Sequence, residues 1–514
     1  MLKPKSPQES FFGSYLYDRI VPVDHMLRKI NHVVDFSFTR QILNDRYNPD
    51  IGRPAEDPEF MLRLCLLQYI YGDSDRQVVE NARLNLAYKY FLGLAVDGEV
   101  PDYTSISYFR IQRLGEEKFQ SVLEQVIRQC IVKGLVKGKR QIIDSTPLIA
   151  NISSSSITGL VRKCRENVLK TVAKQDAGIA EKLGLKELQD AGSVKYASPE
   201  EGLQKEVEAA GQLLDSVTVE LHEKRLVPNE ELRKDLELLE KAVADREEQA
   251  KDKLLSPVDP DARMGKKTNK YWPGYKAHIV MEEESGIITG VETTPANATD
   301  GSQLKPMLKD QEKVYSIKPQ ELTADKAYDW GENLESLASN KTIANIALSK
   351  QVNHRNEGYL TVDDFLYDPE NIKLMCPAGH ISTNCYSEIL YNNKSGYAFQ
   401  FKASLCNTCP LKTRCVKNKE GRRIYISYYE PFFRLARERL ATEEGKQAYR
   451  NRYKIEQKIA DLTRYCGLRR CRYRGLSRAH IHTLVATIVC NIKRMVKLLW
   501  GKPDNYYLES LAAV

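Results

Sequence analysis

The sequence predicts a mixed α/β protein: an all-α N-terminal domain, then a mixed sheet with flanking helices, interrupted by two insertions. Three observations predict it. Residues 15 to 135 carry helical spacing and helix-start signals. From residue 137 short alternating strands take turns with helices, and the segments 153–255 and 351–430 break that rhythm with a composition of their own.

The helical domain, residues 1–136, has its signals in order. Asp57-Pro58 supplies N-cap and first position for FMLRLCLLQYIYG, and Ser74 with Gln77 forms a capping box ahead of VVENARLNLAYKYFLGL. After DGEVPDY, Thr104 or Ser105 can cap ISYFRIQRLG. Two short helices joined by a tight link, the second bearing Arg110 and Arg113, resemble a helix-turn-helix that contacts DNA; a small packing bundle gives the same pattern.

The sheet begins at RQIIDSTPLIANIS and resumes at GYKAHIVME (274–282) and GIITGVET (286–293), a hairpin joined by EESG. Between them, Leu203, Val207, Ala210, Leu214, Val217 and Leu221, then Leu232, Leu236, Leu239 and Val243, repeat at spacings of four and three. This is a helical hairpin with Pro228 and Asn229 at its tip, read as a structural arm or dimer contact. A helix after Asp300, the strand PQELTAD, a helix near Trp330 to Ala338 and the strand TIANIAL complete residues 137–152 and 256–350. Helices return at PFFRLARERL and run through 431–514.

At 514 residues the chain has room for about three domains. Its net charge of +8 is unevenly spread: Glu200 to Lys253 hold 16 acidic and 9 basic side chains, which leaves the remainder strongly basic, as expected where one surface faces phosphates. No apolar run approaches the roughly 18 to 20 residues of a membrane span, and MLKPKSPQESFF lacks a signal peptide's apolar core, so a cytoplasmic protein is expected.

The chemistry lies at strand ends. IIDSTP ends a strand in Asp144, and ELTADKAYDW ends another in Asp325. A lone Asp there is usually a turn residue. If the strands are neighbours, however, both carboxylates project from one sheet edge and repel unless a divalent cation lies between them, for which oxygen ligands with room for water favour Mg²⁺. A third ligand comes from GKQAYRNRYKIEQKIADL, where Tyr449, Arg452, Tyr453 and Glu456 share one face of a helix. From Lys446 to Arg478 there are 11 basic residues and only two acids, Glu456 and Asp461.

With these residues the chain resembles the DDE transposases of bacterial insertion sequences that carry a Tyr-Arg-Glu-Lys signature. Tyr449, Arg452 and Glu456 match in register; Thr463 stands where the signature has Lys, and Arg464 follows it. IIDSTP, GYKAH, TPANATDG and ADKAYD match further pieces, and IGRPAEDPEFMLRLCLLQYIYG with PDYTSISYFRIQRLG looks like the helical domain preceding the core in many such enzymes. The resemblance implies an RNase H-like core with Asp144, Asp325 and Glu456 as catalytic metal ligands. It implies two Mg²⁺ ions, with Mn²⁺ able to substitute, and double-stranded DNA as substrate, both transposon terminal inverted repeats and target. It also implies a homodimer or larger synaptic complex at the nucleoid. Tyr449, Arg452, Arg464, Arg469, Arg470, Tyr328, Arg110 and Arg113 are the expected DNA contacts. Asn297 and Asp300 are expected to order the loop behind the site, unless Asp300 caps the next helix. A metal-dependent nuclease of the same fold, or a non-catalytic DNA-binding descendant, is the alternative.

The eleven cysteines suit reduced thiols better than a disulfide framework. Cys376, Cys406, Cys409 and Cys415, with CxxC spacing at the central pair, suit a structural Zn²⁺ site in the insertion 351–430, with His380 and Cys385 as spare ligands; the alternative is reduced Cys packed in a small β unit. Arg414, Lys417, Lys419, Arg422 and Arg423 lie beside it. The Cys466 and Cys471 segment, dense in Arg, reads as a DNA-backbone contact.

Overall fold

The computed structural model describes residues 11–48, 54–153, 156–190, 196, 198–247, 252–267, 269–349, 358–382, 385–390 and 394–500. The N-terminal segment MLKPKSPQES and the expected start of the Cys-rich insertion at 351–357 lie outside them. Among the described residues no helix is long and apolar enough to cross a membrane.

The N-terminal helices start where the sequence signals stand. Asp57 accepts from the Glu59 amide with Pro58 in the first turn, and Ser74 and Gln77 close a capping box. One cap differs: Asp102, rather than Thr104 or Ser105, accepts from the Thr104 amide at 2.9 Å. The helix it starts passes into a π-helical turn, Phe109–Leu114, and then into Gly115–Val132.

The sheet has six strands: β1 (Arg140–Ile149), β2 (Arg263–Lys267), β3 (Lys270–Glu282), β4 (Ile288–Pro295), β5 (Glu321–Ala324) and β6 (Ile343–Ile346). The order is β2-β3-β1-β5-β6, with β4 also on β3. β1 is antiparallel to β3 and parallel to β5, and β5 is parallel to β6, which gives the mixed sheet expected. The predicted hairpin is β3–β4, irregular at Val280 and Met281. Gly274, in GYKAH, has φ +145° and pairs with both Ile149 and Arg263; a Cβ there would lie 2.3 Å from the Leu148 carbonyl oxygen, so only glycine fits this crowded crossing.

Alternation along β1 divides two cores. Ile142 and Leu148 face the helix Leu476–Trp500, while Ile143 faces Leu304, Met307, Leu334 and Ala436 from the helices on the opposite side. The Leu476–Trp500 helix is buried nearly all round, because it packs against the sheet and against Gly115–Val132, Pro58–Tyr71 and Met26–Val33 of the N-terminal region. The predicted hairpin of 153–255 is present as Pro199–Glu223 and Glu230–Glu247, and it closes on a third helix, Ile157–Gln175, to form a bundle with its own core of Val161, Val168, Val217, Leu221 and Leu239.

His482 lies fully buried where the long helix meets the N-terminal region. Its Nε2–H donates to the Gly467 carbonyl at 3.2 Å and Nδ1 faces Tyr69 Oη at 2.9 Å. Burial, with Arg472 nearby, pushes its pKa down to about 3. The folded state therefore binds fewer protons than the unfolded chain, where imidazole titrates near 6.5, and stability is lost as pH falls from about 6.5 towards 3. Between pH 7.5 and 5, we expect His482→Gln to lose about 2 kcal/mol less than the unsubstituted protein. Denaturant titrations of the two at both pH values check this; parallel losses would rule out His482 as a source of acid sensitivity.

Candidate active site

Only Asp325 stands at a strand end; Asp144, expected at one, lies inside β1, because β1 runs on to Ile149 paired with β3, and the two carboxylates are brought together by register. Arg140 pairs with Glu321, Gln141 with Leu322 and Ile142 with Thr323, and the same offset carried two residues further puts Asp144 opposite Asp325. Asp144 is buried and takes the Ser145 amide on Oδ1 at 2.8 Å. Asp325 follows β5 and accepts from the Ala327 amide at 2.8 Å, which starts a short 3₁₀ turn, Lys326–Tyr328. Burial raises the Asp144 pKa to about 6, with Asp325 pushing the same way and the Ser145 amide, Lys267 and Arg452 opposing.

The third carboxylate is reached through an arginine. Arg452 Nη1 donates to Asp144 Oδ2 at 3.1 Å and its Nη2 to Glu456 Oε1 at 2.7 Å. The guanidinium thus bridges a sheet carboxylate and a helix carboxylate, with one Nη donating to each. Among the described residues no group of three or more His, Cys, Asp or Glu is gathered tightly enough to hold a metal ion.

The signature helix is not continuous as expected. It divides into Glu443–Arg450 and Tyr453–Tyr465, with Asn451 and Arg452 in the turn between. The break has a tertiary cause. Glu283, just beyond β3 and with a side chain only 2% exposed, accepts from Asn451 Nδ2 and from Lys454 Nζ, both at 2.8 Å, and lies 3.7 Å from Arg140 Nε. Asn451 and Lys454 flank Arg452, so this one carboxylate fixes the junction that aims Arg452 and Glu456. Sequence reasoning missed it, because EESG read only as a hairpin link.

Behind the sheet edge, Lys276 donates to Asp300 Oδ1 at 3.0 Å and to the Ala298 carbonyl at 2.7 Å. Asp300 therefore holds the TPANATDG loop through Lys276 and does not cap the following helix. Asn297 donates to Asp252 instead, at 3.2 Å. His278 is fully buried and pushed down to about 4 by burial, with Asp300 opposing.

Two expected DNA contacts, Tyr328 and Arg110, are corrected by burial, and a third, the half-exposed Arg113, is engaged with partners inside the chain. Tyr328 is fully buried, its pKa raised by burial and then by the carboxylates of Asp144, Asp300 and Asp325, so it is a packing residue at the rear of the site. Arg110 is buried against Asp75 at 3.0 Å and stacks on Tyr473. Arg113 donates to the Arg46 carbonyl and stacks on Tyr47. The helix-turn-helix reading loses both of its basic contacts to internal packing. Arg464, Arg469 and Arg470 are exposed and Tyr449 is half-buried. Thr463, at the signature's Lys position, bonds the Ile459 carbonyl of its own helix.

In the Cys-rich insertion two small three-stranded sheets surround a core of Phe365, Leu374, Phe399, Phe401, Ile424 and Ile426, and Cys376, Cys385, Cys406 and Cys415 pack against it. The Arg422 amide donates to Cys406 Sγ at 3.4 Å. Burial raises the Cys415 thiol pKa; Arg422 opposes, and the neighbouring Cys406, Cys376 and Cys409 add to the rise.

A mixed sheet with two neighbouring aspartates where β5 ends, and a glutamate reached through Arg452 from a late helix, is the arrangement of a DDE-type core. A family model described as a transposase DDE domain matches residues 208–492, and one described as a transposase domain matches 15–112. The chain belongs to the DDE transposase family, of insertion-sequence type. The DDE match takes in Asp325 and Glu456 and begins after Asp144. Comparison with curated proteins and with solved structures gave no match.

Proposed function

We propose that this transposase cuts DNA at transposon ends and joins them to target DNA, using Asp144, Asp325 and Glu456 as its carboxylate set. The observation that supports this best is the register match of Asp144 with Asp325, together with the Arg452 bridge to Glu456. The donor set suits Mg²⁺, with Mn²⁺ as a substitute: all ligands are carboxylate oxygens, and a cation between the two aspartates would relieve the repulsion that helps to raise Asp144. Asp144, Asp325 and Glu456 would hold such ions, which would supply charge to activate the attacking oxygen and to stabilise the departing 3′-oxygen.

The chain's own groups do the rest. The Ser145 amide orients Asp144 and the Ala327 amide orients Asp325, while Arg452 must release Glu456 and Asp144 Oδ2 for the three carboxylates to gather around a cation. Arg452 carries a fork that can grip a phosphate beside the broken bond, and Arg464, Arg469, Arg470 and Tyr449 extend the contact along duplex DNA. In the chemical step a water or 3′-hydroxyl oxygen bonds to phosphorus and loses its proton to solvent, while the P–O3′ bond breaks and the departing 3′-oxygen takes up a proton to leave as a 3′-hydroxyl. Joining two ends requires at least a homodimer. The direct test is incubation of the purified protein with DNA carrying the gene's own flanks and Mg²⁺. Cuts mapped to the inverted-repeat ends support the reading; binding without cutting in Mg²⁺ and Mn²⁺ supports the non-catalytic alternative.

For the insertion we propose a structural Zn²⁺ held by Cys376, Cys406, Cys409 and Cys415. Cys376, Cys406 and Cys415 pack on one small core and Cys409 lies near Cys415, so a modest closing of these thiols would give a metal-stapled unit. About one zinc per chain is expected by atomic emission, falling to near zero in Cys409→Ser. Zinc-free protein with an unchanged melting temperature would favour packed, reduced thiols.

A further inference from the structure

A concavity of about 310 Å³ lies between the N-terminal helical region and the sheet, away from the carboxylates, and Arg110, Arg472, Arg474 and Arg478 line it with Asn151 and Tyr473. Their charge is poorly balanced. Arg110 has a carboxylate partner, Asp75. Arg472 donates only to backbone carbonyls, of Asp73 at 2.6 Å and Gln68 at 3.4 Å, while stacking on Tyr69. Arg474 donates to the Asn151 carbonyl at 3.1 Å. Arg478 is exposed and makes no side-chain hydrogen bond or ion pair among the described residues. Asp259 and Asp261, the acids beside Gly475, accept from the Gly475 and Leu476 amides, and Asp259 also from Tyr275.

Three guanidinium groups therefore share one concavity with no carboxylate ion-paired to any of them. Carbonyl acceptors take hydrogen bonds from Arg472 and Arg474, Arg478 has none, and Asp75 and Asp259 act on the first two only through space, so the concavity keeps a positive surplus suited to an anion, and planar guanidinium forks fit phosphate oxygens. The concavity is also a seam. One wall, with Ser107 and Ile111, belongs to the Tyr103–Leu114 turns, where Tyr108 is 55% exposed; the other is the Arg-rich segment that leads back to exposed Arg469 and Arg470, the latter bridged to Ile149 at the end of β1. A single phosphate ion would fill the concavity and leave both extensions unused. A polyanion would use all of them.

We propose that this seam is a DNA-backbone site, in which Arg472, Arg474 and Arg478 hold successive phosphodiesters of the duplex that the carboxylate site cuts. It deepens the transposase reading by placing the DNA across the junction of the two regions, and it replaces Arg110 and Arg113 as the contacts of the helical region.

The test is binding of a labelled duplex carrying the gene's flanks, with Ca²⁺ in place of Mg²⁺, over a salt series. Arg474→Ala/Arg478→Ala is compared with Lys182→Ala/Lys234→Ala on the acidic bundle. The arginine pair is expected to flatten the slope of log K against log salt by about 2, near 0.9 for each phosphate contact, and the lysine pair to leave it unchanged. An unchanged slope in an arginine variant with the usual melting temperature overturns the proposal. So does stabilisation of the unsubstituted protein, and not the variant, by inorganic phosphate together with an unchanged DNA slope, which would make the site one for a free anion. Failure of the unsubstituted protein to cut its flanks, with the slope change intact, would count against the cutting reading and leave the seam standing.

Discussion

Asp325→Asn is expected to lower DNA cleavage by about 10³-fold or more while leaving duplex binding and melting temperature close to those of the unsubstituted protein. The substitution keeps an oxygen for the Ala327 amide, so the 3₁₀ turn that follows β5 keeps its start. What it removes is a negative charge close enough to Asp144 to raise its pKa, just past the end of the β1–β5 pairing. With one anionic partner gone, the pair no longer offers a cation two carboxylates, and the phosphoryl centre loses the charge that would organise it. Single-turnover cleavage of flank DNA, run beside anisotropy binding and a thermal melt, separates chemistry from folding. Cleavage within tenfold of the original would mean that Asp325 is the turn residue its amide bond also describes.

The second large effect is expected at Glu283, whose partners are Asn451, Lys454 and Arg140 and not Asp144, Asp325 or Glu456. Glu283→Ala leaves Lys454 and Asn451 without their acceptor at a buried point and should lower stability by about 3 kcal/mol. It should also cut the cleavage rate by about 10- to 100-fold at temperatures where the variant is fully folded, because supporting bonds around metal-binding carboxylates carry effects of that size. The informative readout is the Mg²⁺ concentration giving half-maximal cleavage. A positioning role raises it and Glu283→Gln partly restores it, whereas a purely structural role changes the melting temperature and leaves the Mg²⁺ dependence where it was.

Asp144 and Asp325 were legible because each ends a short apolar run, and in a parallel pair one offset governs every residue along both strands. Glu456 was legible by composition, as a rare acid in a basic stretch. The break before it was not: Asn451 and Arg452 are no helix breakers, and the turn exists because Glu283, far away in sequence, holds the residues on either side of Arg452. Tyr328 and Arg110 show the opposite difficulty. Both are residue types that suit DNA, and only the packing around them shows that they face inward. β2, five residues long and mostly basic, carries no alternation to read, while the Ile157–Gln175 stripe of Leu160, Cys164, Val168 and Val172 was present in the sequence at helical spacing.

The helix Leu476–Trp500 is buried against both the sheet and the N-terminal helices, so these two parts share one hydrophobic interior. Pulling them apart would expose a helix that is apolar on nearly every side. The N-terminal region is thus denied the freedom of a tethered arm: under the proposed function, any base pairs it met would lie at a fixed span from Asp144 and Asp325. The long helix acts as a ruler, and insertions in the DNA between a recognised sequence and the scissile bond should be measured by it rather than absorbed.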